Sequence, residues 1–163
     1  MPLYRFHIQS HLGTQAVLER VRALVRETPG FRQSLKESFG LRPDDAPPFI
    51  GKVAGSEFKC HRDIRYRNSF LPRIAGRVDS DHNGTRIDVT MYLHPLVLVF
   101  MLFWLGGVGL GAVASLRQGE EGASTLVAIG MFVFGVALTL GGFYPEAIKA
   151  RRLLEQHIGS PSA

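Results

Sequence analysis

The chain has 163 residues, a net charge of +5 and a single cysteine, Cys60. That length bounds it at about one domain, and one cysteine excludes an internal disulfide and a multi-thiolate metal centre. The charge is unevenly placed: residues 1–94 hold 15 Lys/Arg against 10 Asp/Glu, whereas the 28 residues Val89–Leu116 and the 24 residues Gly122–Pro145 hold none.

In chain order, Tyr4–Ile8 alternates with period two and predicts a short strand. Met1–Leu12 as a whole shows no charged region leading into an apolar one, so an export signal is not expected. Thr14 predicts the N-cap of a helix from Gln15 to about Glu27, with Val17, Leu18, Val21, Leu24 and Val25 on one stripe. Phe31, Leu35 and Phe39 recur every four residues and predict a second short helix, closed by Gly40. Four strands follow. Phe49–Ala54 and Glu57–Arg62 flank Gly55-Ser56, a pair suited to a type II′ hairpin turn. A third strand is expected at about Phe70–Val78, and Asn83-Gly84 signals a hairpin into a fourth, Thr85–Leu93. That last strand places Ile87, Val89, Met91 and Leu93 on one face and Arg86, Asp88, Thr90 and Tyr92 on the other. Such alternation marks an antiparallel sheet with one dry and one wet face.

His94-Pro95 leads into the first charge-free run. About 20 apolar residues suffice to cross a bilayer, so spans are expected at about 96–114 and 125–144. Pro145 is then expected to open a short amphipathic helix, with Ala147, Ala150, Leu154 and Ile158 on one side. The predicted fold is α+β: an antiparallel sheet of about four or five strands with N-terminal helices, a two-helix transmembrane hairpin, and a short C-terminal helix returning to the sheet. The corresponding divisions are 1–94, 95–144 and 145–163. Arg86 precedes the first span and Lys149, Arg151 and Arg152 follow the second, while the intervening loop carries only Arg117 among basic residues. The positive-inside rule then places both termini in the cytoplasm.

Candidate sites are sparse. Asp79-Ser80-Asp81-His82-Asn83-Gly84 has the oxygen spacing and glycine of the first half of an EF-hand loop. The bidentate Glu of position 12 is replaced by Thr90, so a polar hairpin turn is the expected reading. The six histidines lack zinc spacing, and no metal or cofactor is expected. His61 and Asp63, two apart on a strand, suggest an acid–base couple, but no nucleophile or oxyanion loop accompanies them. The segment Arg62–Pro72 is the most unusual: Arg62, Arg65, Tyr66, Arg67 and Asn68 form an Arg–aromatic cluster that could meet phosphate headgroups or an acidic partner, although a turn with exposed strand residues, whose Arg stems cover apolar surface, is the favoured reading. Nucleic acid is not an expected partner, because basic residues alternate with acids and match no known module. In the spans, Gly107, Gly111 and Ser115, and Ala137 and Gly141, repeat every four residues. Small residues so spaced allow close helix packing, within the hairpin or between two copies. Neither span carries an ionisable residue beyond His94 at the edge, which argues against ion or solute transport by this chain alone.

The stretch Phe49–Val53, then Arg65-Tyr66-Arg67-Asn68-Ser69-Phe70-Leu71-Pro72-Arg73-Ile74-Ala75-Gly76, then Met91–Pro95 resembles a family of small, uncharacterised bacterial two-span membrane proteins. The resemblance covers about residues 49–150 and implies a bacterial inner membrane, with no activity attached. The order of strand, helices, antiparallel strands and closing helix is also similar to helix-grip lipid-binding domains, an analogy of fold alone. The membrane hairpin interrupts that order before the last helix. The functional expectation is a membrane-anchored interaction or scaffold module, contacting the lipid bilayer and a protein partner or a second copy. The alternative is a lipid or other apolar ligand held near Val21, Leu24, Phe58 and Ile87, with an enzyme the least supported reading.

Overall fold

The computed structural model describes residues 3–27, 47–64, 66–82, 84–119 and 122–159. The helix expected around Phe31–Phe39 lies outside them, as do Arg65 and Asn83. Six strands form one sheet: β1 (Leu3–Ser10), β2 (Val25–Glu27), β3 (Phe49–Ala54), β4 (Glu57–Arg62), β5 (Arg73–Asp81) and β6 (Gly84–Tyr92). Their order is β1-β6-β5-β4-β3-β2. All neighbours are antiparallel except β2, which runs parallel to β3 with Val25 beside Phe49. Three helices complete the fold: α1 (Thr14–Leu24), α2 (Pro95–Arg117) and α3 (Ala123–Ile158).

The hairpin expected at Gly55-Ser56 is present, with Gly55 at φ +58° and no positive φ at Ser56, as a type II′ turn requires. β6 and the residue that follows it bury the expected face: Ile87, Val89, Met91 and Leu93 are all at most 2% exposed. The structure corrects several boundaries. α1 is capped by Gly13, with Thr14 as its first helical residue, and it stops at Leu24. Val25–Glu27 continues as β2 because Phe49, 24 residues later, offers a strand edge that helical spacing does not reveal. The third and fourth of the expected strands lie at Arg73–Asp81 and Gly84–Tyr92.

The largest correction concerns Pro145. It opens no separate helix but lies inside α3, which runs unbroken for 36 residues. Proline removes one helical hydrogen bond, here to the carbonyl of Gly141. Burial holds the helix together across the gap: Phe143, Ala147, Ala150, Leu154 and Ile158 form one stripe, each at most 1% exposed, against the sheet. They share one apolar cluster with α1 and the inner face of the sheet, including Val17, Val21, Phe49, Phe58, Ile74, Ile87 and Met91. Val21, Leu24, Phe58 and Ile87 are thus members of a packed core. The Phe58 ring fills the space over Gly76, with Cζ 2.1 Å from where a Cβ on that glycine would stand.

α2 and the first part of α3 are long and apolar enough to cross a membrane. They pack through Met101, Trp104 and Leu105, which surround Gly135 (the Leu105 Cδ2 lies 2.9 Å from a notional Cβ there), and through Phe132 beside Gly109. Met101, Ala112, Thr125 and Thr139 are buried along this seam. Gly107, Gly111 and Gly141 do not take part: nothing lies within 4 Å of a Cβ built on any of them. Ala137 is likewise exposed and Ser115 half-buried. The helical phase that aims Gly135 at Leu105 turns the more regular glycine ladder outward.

Candidate functional site

Strand alternation along β4 places Phe58, Cys60 and Arg62 on the inner face, with Arg62 opposite Phe49 at the end nearest the apolar hairpin. α3 brings Glu146 to the same place, one residue past Pro145. Glu146 is 3% exposed. Its Oε2 accepts from Arg62 Nη1, and its Oε1 accepts from the Tyr66 hydroxyl at 2.5 Å and from Lys149 Nζ at 3.2 Å. A carboxylate removed from water costs several kcal/mol unless such donors surround it. The hydrogen bond to Glu146, followed by burial, pushes the Tyr66 phenol above its usual value. The Arg62 Nε is buried and finds no hydrogen-bond partner among the described residues.

The β4–β5 connection completes the junction. Asn68 Nδ2 donates to the carbonyl of Gly142 at 2.9 Å, and its Oδ1 accepts from the Phe70 amide at 2.9 Å. Phe70 lies flat against Gly142, its Cβ 2.9 Å from where a Cβ on that glycine would sit. Arg67 is exposed. Of the five residues expected to contact a ligand or partner, Arg62, Tyr66 and Asn68 therefore fasten this chain's own α3. Glu146 is the residue of this junction that pattern reading missed. It is the first charge after the 24-residue charge-free run, and an acid in that position is the signal that could have found it.

His61 and Asp63 do not form an isolated couple. His61 lies on the outer face between Ile50 and Arg73, and Asp63 Oδ2 accepts from Arg26 Nη2 at 3.0 Å. Burial first, then the Arg73 charge, hold the imidazole below its ordinary value, against an opposing pull from Asp63. Burial pushes the Cys60 thiol up to about 12, so it is no nucleophile near neutral pH. Asp79 and Asp81 stand in β5 opposite Arg86 and Gly84, in a regular hairpin. No cluster of metal-ligating side chains occurs among the described residues.

The outer face of the sheet is covered by no described element. Its row nearest the hairpin runs Leu3, Tyr92, Arg73, His61, Ile50, and the next runs Arg5, Thr90, Ala75, Lys59, Lys52. These two rows hold four exposed Lys/Arg and no acid. Lys52 and Lys59 stand directly opposite each other, an arrangement that costs stability. The third row is balanced, with Arg77 bonded to Glu57 at 3.0 Å. Around Ala75 a shallow hollow of about 320 Å³ is rimmed by Lys59, Arg77, Asp88 and Thr90.

Two apolar grooves flank the helical hairpin. One, of about 350 Å³, is lined by Leu93, Leu98, Leu102, Val136 and Tyr144. The other, of about 320 Å³, is lined by Phe70, Phe100, Trp104, Met131, Phe134 and Leu138. Set against known proteins, the chain matches no family model, no curated protein and no solved structure.

Proposed function

We propose that the protein is a membrane-anchored interaction module. In this reading α2 and the first part of α3 span a bacterial inner membrane, both termini are cytoplasmic, and the outer sheet face docks an acidic segment of a partner protein. The observation that carries it is the pair of acid-free rows on that face, which hold the exposed Arg5, Lys52, Lys59 and Arg73; Lys59 also rims the hollow at Ala75, whose other side carries Glu57, Arg77 and Asp88. Like charges are set opposite each other at a cost to the fold, which a negatively charged partner would offset. The Glu146 junction supports the same reading, because it ties the sheet to the helices at a fixed place rather than through a loose linker.

The test is photo-crosslinking in the native membrane, with a photoreactive residue at Thr90 of the full-length chain. The expected result is a protein-sized adduct that is lost in Lys52→Glu/Lys59→Glu. An adduct of the chain with itself would instead make the face a homo-oligomer interface. No adduct, or one indifferent to charge reversal, would overturn the proposal. Orientation is read separately: Cys60 is buried, so Gln118→Cys supplies the one thiol accessible to a membrane-impermeant maleimide, and labelling from outside the cell is expected.

A further inference from the structure

The groove beneath the β4–β5 connection differs from its counterpart across the hairpin in what stands at its upper end. Phe70 closes it, packed on Gly142. Asn68 is bonded to the carbonyl of Gly142, which holds the connection, and with it the backbone of the adjacent Arg67, close to that level. Arg67 is exposed and forms no ion pair with any described residue. Thr125 to Gly142 is about 26 Å of helix at 1.5 Å per residue, close to the thickness of a bilayer's hydrocarbon core. Gly142 therefore lies at the boundary between acyl chains and headgroups, given the membrane-spanning reading on which this inference rests. Below the boundary the groove is lined by Phe100, Trp104, Met131, Phe134 and Leu138, with no charged group. The opposite groove ends at Leu93 and Tyr144; neither groove has a cation in its own lining, and Arg67 belongs to the connection whose Phe70 closes this one.

We infer that this groove holds one acyl chain of an anionic phospholipid, whose phosphate is paired by Arg67. The occupant follows from the two halves of the site. A guanidinium at headgroup depth recognises a phosphate by paired hydrogen bonds, and an apolar channel directly below it accepts the attached chain. The two half-sites are joined through the Asn68–Gly142 bond and the Phe70 ring, which hold the connection against α3. The sequence cluster Arg62–Asn68 thereby divides its work: Arg62, Tyr66 and Asn68 fasten the connection, and Arg67 faces the lipid.

Trp104 is the single tryptophan of the chain and lines this groove, so its fluorescence reports the occupant. The full-length protein is reconstituted into vesicles of phosphatidylcholine containing a minor fraction of phosphatidylglycerol, with brominated chains placed on one lipid or the other at equal mole fraction. One cation near an anionic surface changes local occupancy about fivefold. Brominated phosphatidylglycerol is therefore expected to quench Trp104 at least about twofold more than brominated phosphatidylcholine. Arg67→Glu should bring the two to equality, Arg67→Lys should keep most of the difference, and Lys52→Glu on the outer sheet face should leave it unchanged. Equal quenching in the unaltered protein, or a preference that survives Arg67→Glu, overturns the inference. So does the absence of quenching by either lipid, which would mean that protein, such as a second copy, covers the groove. A chain that fails to float with the vesicles in a density gradient overturns the membrane reading itself, before any quenching is compared.

Discussion

At the scale of single residues, Glu146 carries the most weight. Removing one partner of a buried ion pair is costly because the other charge stays behind. The side chains of Glu146 and Arg62 are 4% and 19% exposed. Glu146→Gln is therefore expected to destabilise the protein by about 3 kcal/mol, the lower end for a buried pair. Cys60 supplies the readout. Its thiol is buried and raised to about 12, so an alkylating reagent reaches it only when the fold opens. Alkylation of Cys60 in Glu146→Gln should run about a hundredfold faster than in the parent protein, since 1.4 kcal/mol is tenfold in the open population. An unchanged rate would show that the junction is not part of the cooperative unit. Little of this site was legible beforehand. The Arg–aromatic segment stood out by composition, but its partner lies 84 residues away from Arg62, and nothing local in the chain marks that pairing.

At the scale of elements, β4 and β5 show how close packing constrains substitution. Phe58 and Gly76 stand opposite each other, and the ring occupies the volume that a side chain at Gly76 would need. Gly76→Ala should cost about 1–3 kcal/mol by overpacking, and Phe58→Ala about 3–5 kcal/mol by cavity formation. Combined, they should cost at least about 1 kcal/mol less than their sum, because the new methyl enters the space the ring has left. Thermal unfolding of the detergent-solubilised variants measures the cycle, and strict additivity would refute the contact. Here the sequence was informative. The alternation of Ile87, Val89, Met91 and Leu93 placed the inner face, and Gly55-Ser56 placed a turn, because period two and turn chemistry are local. β2 was not legible: Val21, Leu24 and Val25 keep helical spacing, and only the parallel edge of β3 turns Val25–Glu27 into a strand. The glycine ladder of α2 misled for a related reason. Spacing shows which residues share a face, but not which way that face is turned.

At the scale of the whole molecule, the divisions read from composition do not coincide with the units of packing. The core of the sheet includes Phe143, Ala147, Ala150, Leu154 and Ile158, which follow the hairpin in the chain. A fragment of residues 1–94 therefore keeps the six strands and α1 but loses the helix that covers part of their inner face. It is expected to bind hydrophobic dyes and to unfold in urea without a cooperative transition, whereas the full chain should show one. A sharp urea transition in the fragment would show that α1 alone closes the core. Sequence reading already placed Ala147, Ala150, Leu154 and Ile158 on one side of a helix returning to the sheet; what Pro145 hid is that this helix is continuous with the second span, since proline usually ends or kinks a helix.

The continuity of α3 also orders events during synthesis. The strands leave the ribosome first, the hairpin next, and the closing helical half last. With the hairpin in a bilayer, as proposed, the membrane insertion machinery must seat both apolar helices before Ala147 to Ile158 can return to the sheet. Until then the inner face of the sheet lacks part of its cover. A chain whose hairpin fails to insert would then leave the sheet partly uncovered and exposed to chaperones and proteases. Correct insertion is in this way a checkpoint for maturation, written into the order of the elements.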